Sequence, residues 1–229
     1  MIFTDKKLLL FDLDGTLIDS VPDLAHAVNH MLEVLGRPAF PIETIRTWVG
    51  NGAETLVKRA LSSHVIIDET LEPTLVTKAL ETFLHYYGAH LSEETLTYPH
   101  VIVTLKALHD AGYRLALVTN KPIAFVAPIL KGLGINTLFE SSLGGDSLAE
   151  KKPSPLPLLH LCETLNVPVV ETLMIGDSKN DILAANAAKI QSVGVSYGYN
   201  YDEAIEHYKP DMVIDDFSEL LDALGVMKV

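Results

Sequence analysis

The chain has 229 residues, 48% of them hydrophobic and 21% charged, with a formal net charge of −13. That proportion excludes a disordered chain, and the length suits one large domain or a core with a smaller companion. The acidic balance argues against a nucleic-acid partner or an anionic membrane, either of which calls for a basic patch.

Short apolar runs recur along the chain. Leu8–Leu13, Leu115–Thr119, Leu173–Gly176, Ser192–Val195 and Met212–Ile214 are predicted as strands, with Ser141–Gly144 a further short one. Continuous apolar strands of this kind belong to parallel sheets covered on both faces. Helical patterns lie between them, at Val101–Ala111, Ile123–Leu133, Pro155–Leu165 and Asp181–Ala188. The alternation predicts an α/β fold, a doubly wound parallel sheet of Rossmann-like form.

One stretch breaks the alternation. From about Asp19 to about Leu96 the patterns are helical, at Pro22–Leu35, Ile42–Thr47, Ala53–Leu61 and Leu71–Tyr87. Turn signals separate them at Gly36-Arg37-Pro38, Gly50-Asn51-Gly52 and Tyr98-Pro99. The division expected is a core of residues 1–17 and 97–229, with an all-helical insertion, 18–96, after the first strand. That insertion would lie over the carboxyl end of the sheet, where ligands of open α/β sheets bind.

No run approaches the ~18 apolar residues of a membrane span. The amino terminus has no apolar stretch long enough for a signal peptide. The single cysteine, Cys162, reads as a small core residue and fits a reducing compartment. A cytoplasmic protein is expected.

Three strand ends carry acids or phosphate-binding chemistry. Asp12 and Asp14 follow the first strand; like charges so close disfavour one another's ionisation, and a cation removes that cost. A strand followed by a simple turn would place the same residues. Thr119, followed by Asn120 and Lys121, offers a hydroxyl and main-chain N–H groups to phosphate oxygens. Asp177 and Asp181 end a third strand and open a helix, where Asp181 could equally serve the helix dipole. Lys151 and Lys152 supply local positive charge, Lys151 reading as a solvated loop residue. Four aspartates at one sheet edge call for a metal, and oxygen ligands suit Mg²⁺ shared with substrate phosphate. One carboxylate as nucleophile and its neighbour as acid and base, with metal and lysine neutralising charge, would make a phosphoryl-transfer site.

DLDGTLIDS, LVTNK, KKPSP and GDSKND, in that order, resemble the four motifs of the haloacid dehalogenase superfamily of phosphatases, and the likeness covers nearly the whole chain. The resemblance implies Asp12 as nucleophile and Asp14 as general acid, then base. It also implies that Thr119 and the Asn120 main chain hold the phosphoryl group while Lys152 steadies nucleophile and phosphate. Mg²⁺ would be held by Asp12, the Asp14 carbonyl and Asp177, with Asp181 acting directly or through water. Asp14 separates the chain from the dehalogenating branch, which lacks an acid there.

Within the superfamily, TWVGNGAETLVKRAL and SVGVSYGYNYDEAI are similar to the bacterial phosphoglycolate phosphatase group. That likeness makes the insertion a closing cap whose Trp48–Gly52 loop, through Gly50 and Asn51, reaches toward the substrate's organic part. A plain inter-helix turn is the other reading of Gly50-Asn51-Gly52. A small phosphomonoester is the implied partner, and the protein would be a monomer or homodimer. A phosphosugar phosphatase or mutase, or a phospho-accepting regulatory protein, are the competing readings. Two positions depart from the group's pattern: His100 and Lys189 stand where glycines are usual. His26 and His30 share a helical face at metal-site spacing but lack a third ligand nearby, and are expected as ordinary cap residues.

Overall fold

The computed structural model describes residues 2–201 and 203–227. Asp202 of the tail stretch, and Met1, Lys228 and Val229 at the ends of the expected core, lie outside the described residues. A six-stranded parallel sheet forms the centre: β1 (Leu8–Phe11), β4 (Arg114–Val118), β5 (Ser141–Leu143), β6 (Thr172–Gly176), β7 (Gln191–Val195) and β8 (Met212–Ile214). Their order is β5-β4-β1-β6-β7-β8, with every pairing parallel. The chain winds outward from β1 to one side, returns, and winds to the other. The crevice beside β1 is therefore the switch point at which such sheets bind ligands.

The residues of β1 explain the two covered faces. Leu9 and Phe11 enter one apolar cluster, with Val101, Leu105, Phe217 and Leu220. Leu8 and Leu10 enter another, with Leu158, Leu161, Ala184 and Ala185. Helices α5 (Val101–Asp110) and α9 (Glu219–Leu224) thus cover one face, and α7 (Leu156–Thr164) and α8 (Lys179–Ala188) the other. Helix α9 has no counterpart among the expected elements, and the fifth core helix is α6 (Ile123–Gly132). The first strand ends at Phe11 rather than Leu13, because Leu13 begins a tight turn: its carbonyl accepts from the N–H groups of Thr16, Leu17 and Ile18.

The helical insertion comprises α1 (Val21–Val34), α2 (Ile42–Arg46), α3 (Ala53–Ser62) and α4 (Pro73–Ala89). These helices share a separate apolar cluster that includes Val28, Met31, Trp48, Leu56, Phe83 and Tyr87. At the base of the insertion, β2 (Ile18–Asp19) and β3 (Leu96–Thr97) pair antiparallel. Two-residue strands carry no period, so the sequence pattern passes over them. No helix among the described residues is long and apolar enough to cross a membrane.

Candidate active site

The register of the sheet assembles the site. Phe11 lies level with Leu117 on β4 and Ile175 on β6. The residues just beyond, Asp12, Thr119 and Asp177, therefore emerge together at the carboxyl edge. Asp12 N–H donates to the Ile175 carbonyl at 3.0 Å, and Thr119 N–H to Leu143 at 3.0 Å, so both main chains prolong the ladder. Gly15, at φ +89°, turns the chain away; a Cβ there would collide with the Asp177 carboxylate. Thr16 Oγ1 donates to Asp177 Oδ1 at 3.0 Å, and Tyr199 N–H to Oδ2 at 2.6 Å.

Lys152 comes from the loop between β5 and α7 and is buried. Its ammonium donates to Asp181 Oδ1 and the Val118 carbonyl, both at 2.6 Å. It lies 3.0 Å from Asp12 Oδ1, but misaligned, so that oxygen is buried without a hydrogen-bond partner. Asp181 also serves its helix. Its Oδ2 accepts from the N–H and hydroxyl of Ser178, closing a capping box at the start of α8. Both sequence readings of Asp181, helix-start acid and site acid, describe the same carboxylate.

Asp14 projects differently. Lys121 Nζ donates to its two carboxylate oxygens at 2.9 and 3.0 Å, and Ser20 Oγ at 2.5 Å. Lys121 is itself buried and sits 4.8 Å from the Tyr87 ring centre. This buried ion pair is the main feature the sequence reading missed: Lys121 was visible in the motif, but nothing in its spacing said which acid it meets.

Electrostatically the site is under tension. Burial pushes the Asp12 carboxyl up to about 7, against the pull of Lys152. Burial, then Asp181 and Asp12, push Asp177 well above the ordinary carboxylate range. Burial works against the charge of Lys152 and Lys121, yet their aspartates outweigh it and raise both. Four carboxylates face two ammonium groups, an excess of negative charge held out of water. Oxygens of Asp12, Asp177 and Asp181 lie within 4.8 Å of one another. With that excess of negative charge, this all-oxygen donor set fits a hard divalent cation such as Mg²⁺.

The helical insertion closes over these groups. Asn120 Nδ2 donates to the Gly50 and Lys152 carbonyls at 3.1 and 3.0 Å, and Asn180 Nδ2 to Gly50 at 3.2 Å. The Asn51 carbonyl accepts from Lys151 at 2.8 Å, and Asn51 Oδ1 from the Tyr201 hydroxyl at 2.6 Å. Gly50 thus borders the space beside Asp12, whereas Asn51 turns to the core loops. Trp48 is buried against Phe40, ring centres 5.0 Å apart, so it packs the insertion. His26 bonds Glu94 and His30 stacks on Tyr86, and the two form no metal cluster among the described residues. What remains beside Asp12 is a partly open cavity of about 40 Å³, room for a few water molecules.

A family model described as haloacid dehalogenase-like hydrolase matches residues 9–195. The chain belongs to that family. It is 54% identical over 224 residues to a phosphoglycolate phosphatase of Colwellia psychrerythraea, covering 98% of this chain and 99% of that one. It is 52% identical over 221 residues to a phosphoglycolate phosphatase of Psychrobacter arcticus, covering 96% of each. Among solved structures, a predicted phosphoglycolate phosphatase from Haemophilus somnus superposes with a TM-score of 0.89 at 42% identity, over 96% of this chain and 98% of that chain.

Against the pattern expected of this hydrolase family, the two substituted glycines have a conformational reading. His100 and Lys189 both adopt left-handed backbone, at φ +62° and +58°, a region where glycine meets no Cβ penalty. His100 opens α5 and bonds Asp216 through Nδ1 at 2.7 Å. Lys189 ends α8.

Proposed function

We propose that this protein hydrolyses 2-phosphoglycolate to glycolate and phosphate through an aspartyl-phosphate on Asp12, with Mg²⁺ as cofactor. The observation that carries the reading is Asp12 itself, a buried carboxylate ion-paired to Lys152 at the end of the central strand and bordering a small pocket. The relatives' activity supports the substrate.

The steps follow from the placement of the side chains. An Asp12 carboxylate oxygen attacks phosphorus, and the bond from phosphorus to the glycolate oxygen breaks. Asp14, which lines the same cavity, gives its proton to the departing alkoxide. It then takes a proton from water, whose oxygen attacks the phosphorus of the aspartyl-phosphate. The bond between phosphorus and Asp12 breaks, releasing phosphate and restoring the carboxylate. Lys152, fixed between Asp12 and Asp181, neutralises charge growing on the phosphoryl oxygens. The Thr119 hydroxyl and the Asn120 main chain, at the cavity wall, receive those oxygens. Asp12, the Asp14 carbonyl and Asp177 would hold Mg²⁺, with Asp181 contributing directly or through water, and the bound ion would supply further charge neutralisation. The closed insertion keeps bulk water from the intermediate. The lone buried Cys162 supports a cytoplasmic setting.

Phosphate release from a panel of phosphomonoesters, with Mg²⁺ and with EDTA, tests the reading. A Mg²⁺-dependent preference for 2-phosphoglycolate over phosphosugars and nucleoside monophosphates is expected. Comparable turnover across the panel would remove the substrate and keep the chemistry. Isomerised phosphosugar without free phosphate would mark a mutase.

A further inference from the structure

Charge and hydrocarbon are unevenly placed around the cavity. Leu24, Val49, Leu56, Phe83 and Phe125 supply apolar walls. Among the described residues lining it, Lys121 alone is cationic; Lys152 lies below, against Asp12 and Asp181. Opposite the core wall stands the amino end of α3, with Gly52 and Ala53 at the lining. No side chain caps that first turn, whose N–H groups lack acceptors within the helix. An anion at this point would meet an ammonium and a positive helix end in one small space.

The geometry points to Lys121 as the residue that selects carboxylate-bearing phosphomonoesters, by binding the substrate's carboxylate while the phosphoryl group sits at Asp12. This rests on the substrate reading above and deepens it. With phosphorus at Asp12, a two-carbon ester places its other end within the cavity, where a carboxylate among hydrocarbon walls requires a cation. The Lys121 ammonium is held by Asp14 and the Tyr87 ring, so it is positioned before substrate arrives. Three donor protons allow it to keep Asp14 and accept a second anion. A lysine present only to balance Asp14 would serve every phosphomonoester equally, and this is the alternative to be separated.

The test compares 2-phosphoglycolate with ethyl phosphate, which keeps the two-carbon ester and replaces the carboxylate by a methyl. In the full chain with Mg²⁺, the wild type is expected to prefer 2-phosphoglycolate by about 100-fold or more in kcat/KM. Lys121→Met is expected to cut that ratio about 30-fold or more, mainly through KM. In an Asp12→Asn background, calorimetry should show the same variant losing affinity for 2-phosphoglycolate but not for inorganic phosphate. An equal loss on both esters, with unchanged relative affinities, would overturn the role of Lys121 and leave it a partner of Asp14. Absence of preference in the wild type would instead overturn the substrate reading, and is seen before any variant is made. Should Lys121→Met fold poorly, Lys121→Gln keeps the length and a donor while removing the charge, and the same ratio decides.

Discussion

The sheet edge and the helical insertion build the site by different means. At the edge, each contribution is a particular side-chain atom: the carboxylates of Asp12, Asp14, Asp177 and Asp181 and the ammonium groups of Lys121 and Lys152. The insertion contributes main-chain carbonyls and hydrocarbon: the Gly50 and Asn51 carbonyls receive donors from the core, and Leu24, Leu56 and Phe83 wall the cavity. Chemistry at the edge therefore depends on particular side chains, whereas closure depends on backbone position and volume. The two regions should fail differently when mutated.

The largest effect belongs to the edge. Asp12→Asn keeps the shape but removes the nucleophile, and should lower kcat by about four orders of magnitude or more with an unchanged circular dichroism spectrum. A variant retaining a tenth of the activity would place the covalent step elsewhere and dissolve the contrast.

Next comes the charge excess at the same edge. Burial holds the Asp12 carboxyl at about 7 against its ordinary 3.8, and Asp177 is also raised. Between those values the folded protein binds more protons than the unfolded chain, so metal-free stability falls as pH rises through that window. Melting in EDTA should therefore drop by roughly 5 °C or more between pH 5.5 and pH 8. Mg²⁺ should raise Tm more at pH 8, where it displaces fewer protons. Equal melting at both pH values in EDTA would mean that the lysines alone balance the acids.

The difference between the regions also explains what could be read from sequence. Apolar runs such as LLLF and TLMIG could only be buried strands once helices alternated with them. The acids after those runs stood out because carboxylates at buried strand ends have few other uses. The insertion was legible as helices by period and as a cap through the family resemblance, but not in the contacts by which it meets the core. A carbonyl such as that of Gly50 has no identity in a sequence, and its donors Asn120 and Asn180 lie 70 and 130 residues further along. The pairing of Lys121 with Asp14 was hidden for the same reason, a separation of 107 residues. Short pieces such as β2 and β3 hold too few residues to show any period.

A smaller effect is expected from the clasp that joins the regions. Tyr201 donates to Asn51 and receives Asn180 Nδ2, while Arg59 lies over its ring, 5.2 Å from the centre. Tyr201→Phe keeps the ring and removes the hydroxyl, so closure weakens without touching the carboxylates. KM for 2-phosphoglycolate should rise about fivefold to tenfold, with kcat changed less than threefold, for the loss of two partly buried hydrogen bonds. A kcat loss matching that of an edge variant would mean that the clasp positions the chemistry as well as the lid.

The smallest effect separates the joint between the regions from the core alone. His100 and Lys189 both carry a Cβ in left-handed backbone, a conformation that costs non-glycine residues about 1 kcal/mol or more. Lys189 is exposed at the end of α8, so Lys189→Gly removes strain and loses only chain entropy in return. A gain of about 0.5–1 kcal/mol in unfolding free energy is expected. His100 follows β3 at the return from the insertion and pairs with Asp216. His100→Gly relieves the same strain but gives up that pair, worth up to about 1 kcal/mol at an exposed site. Its net effect should lie near zero, and denaturant unfolding of the two variants side by side reads the difference directly. If His100→Gly gained as much as Lys189→Gly, the pair with Asp216 would contribute nothing, and the histidine would be no anchor for the joint.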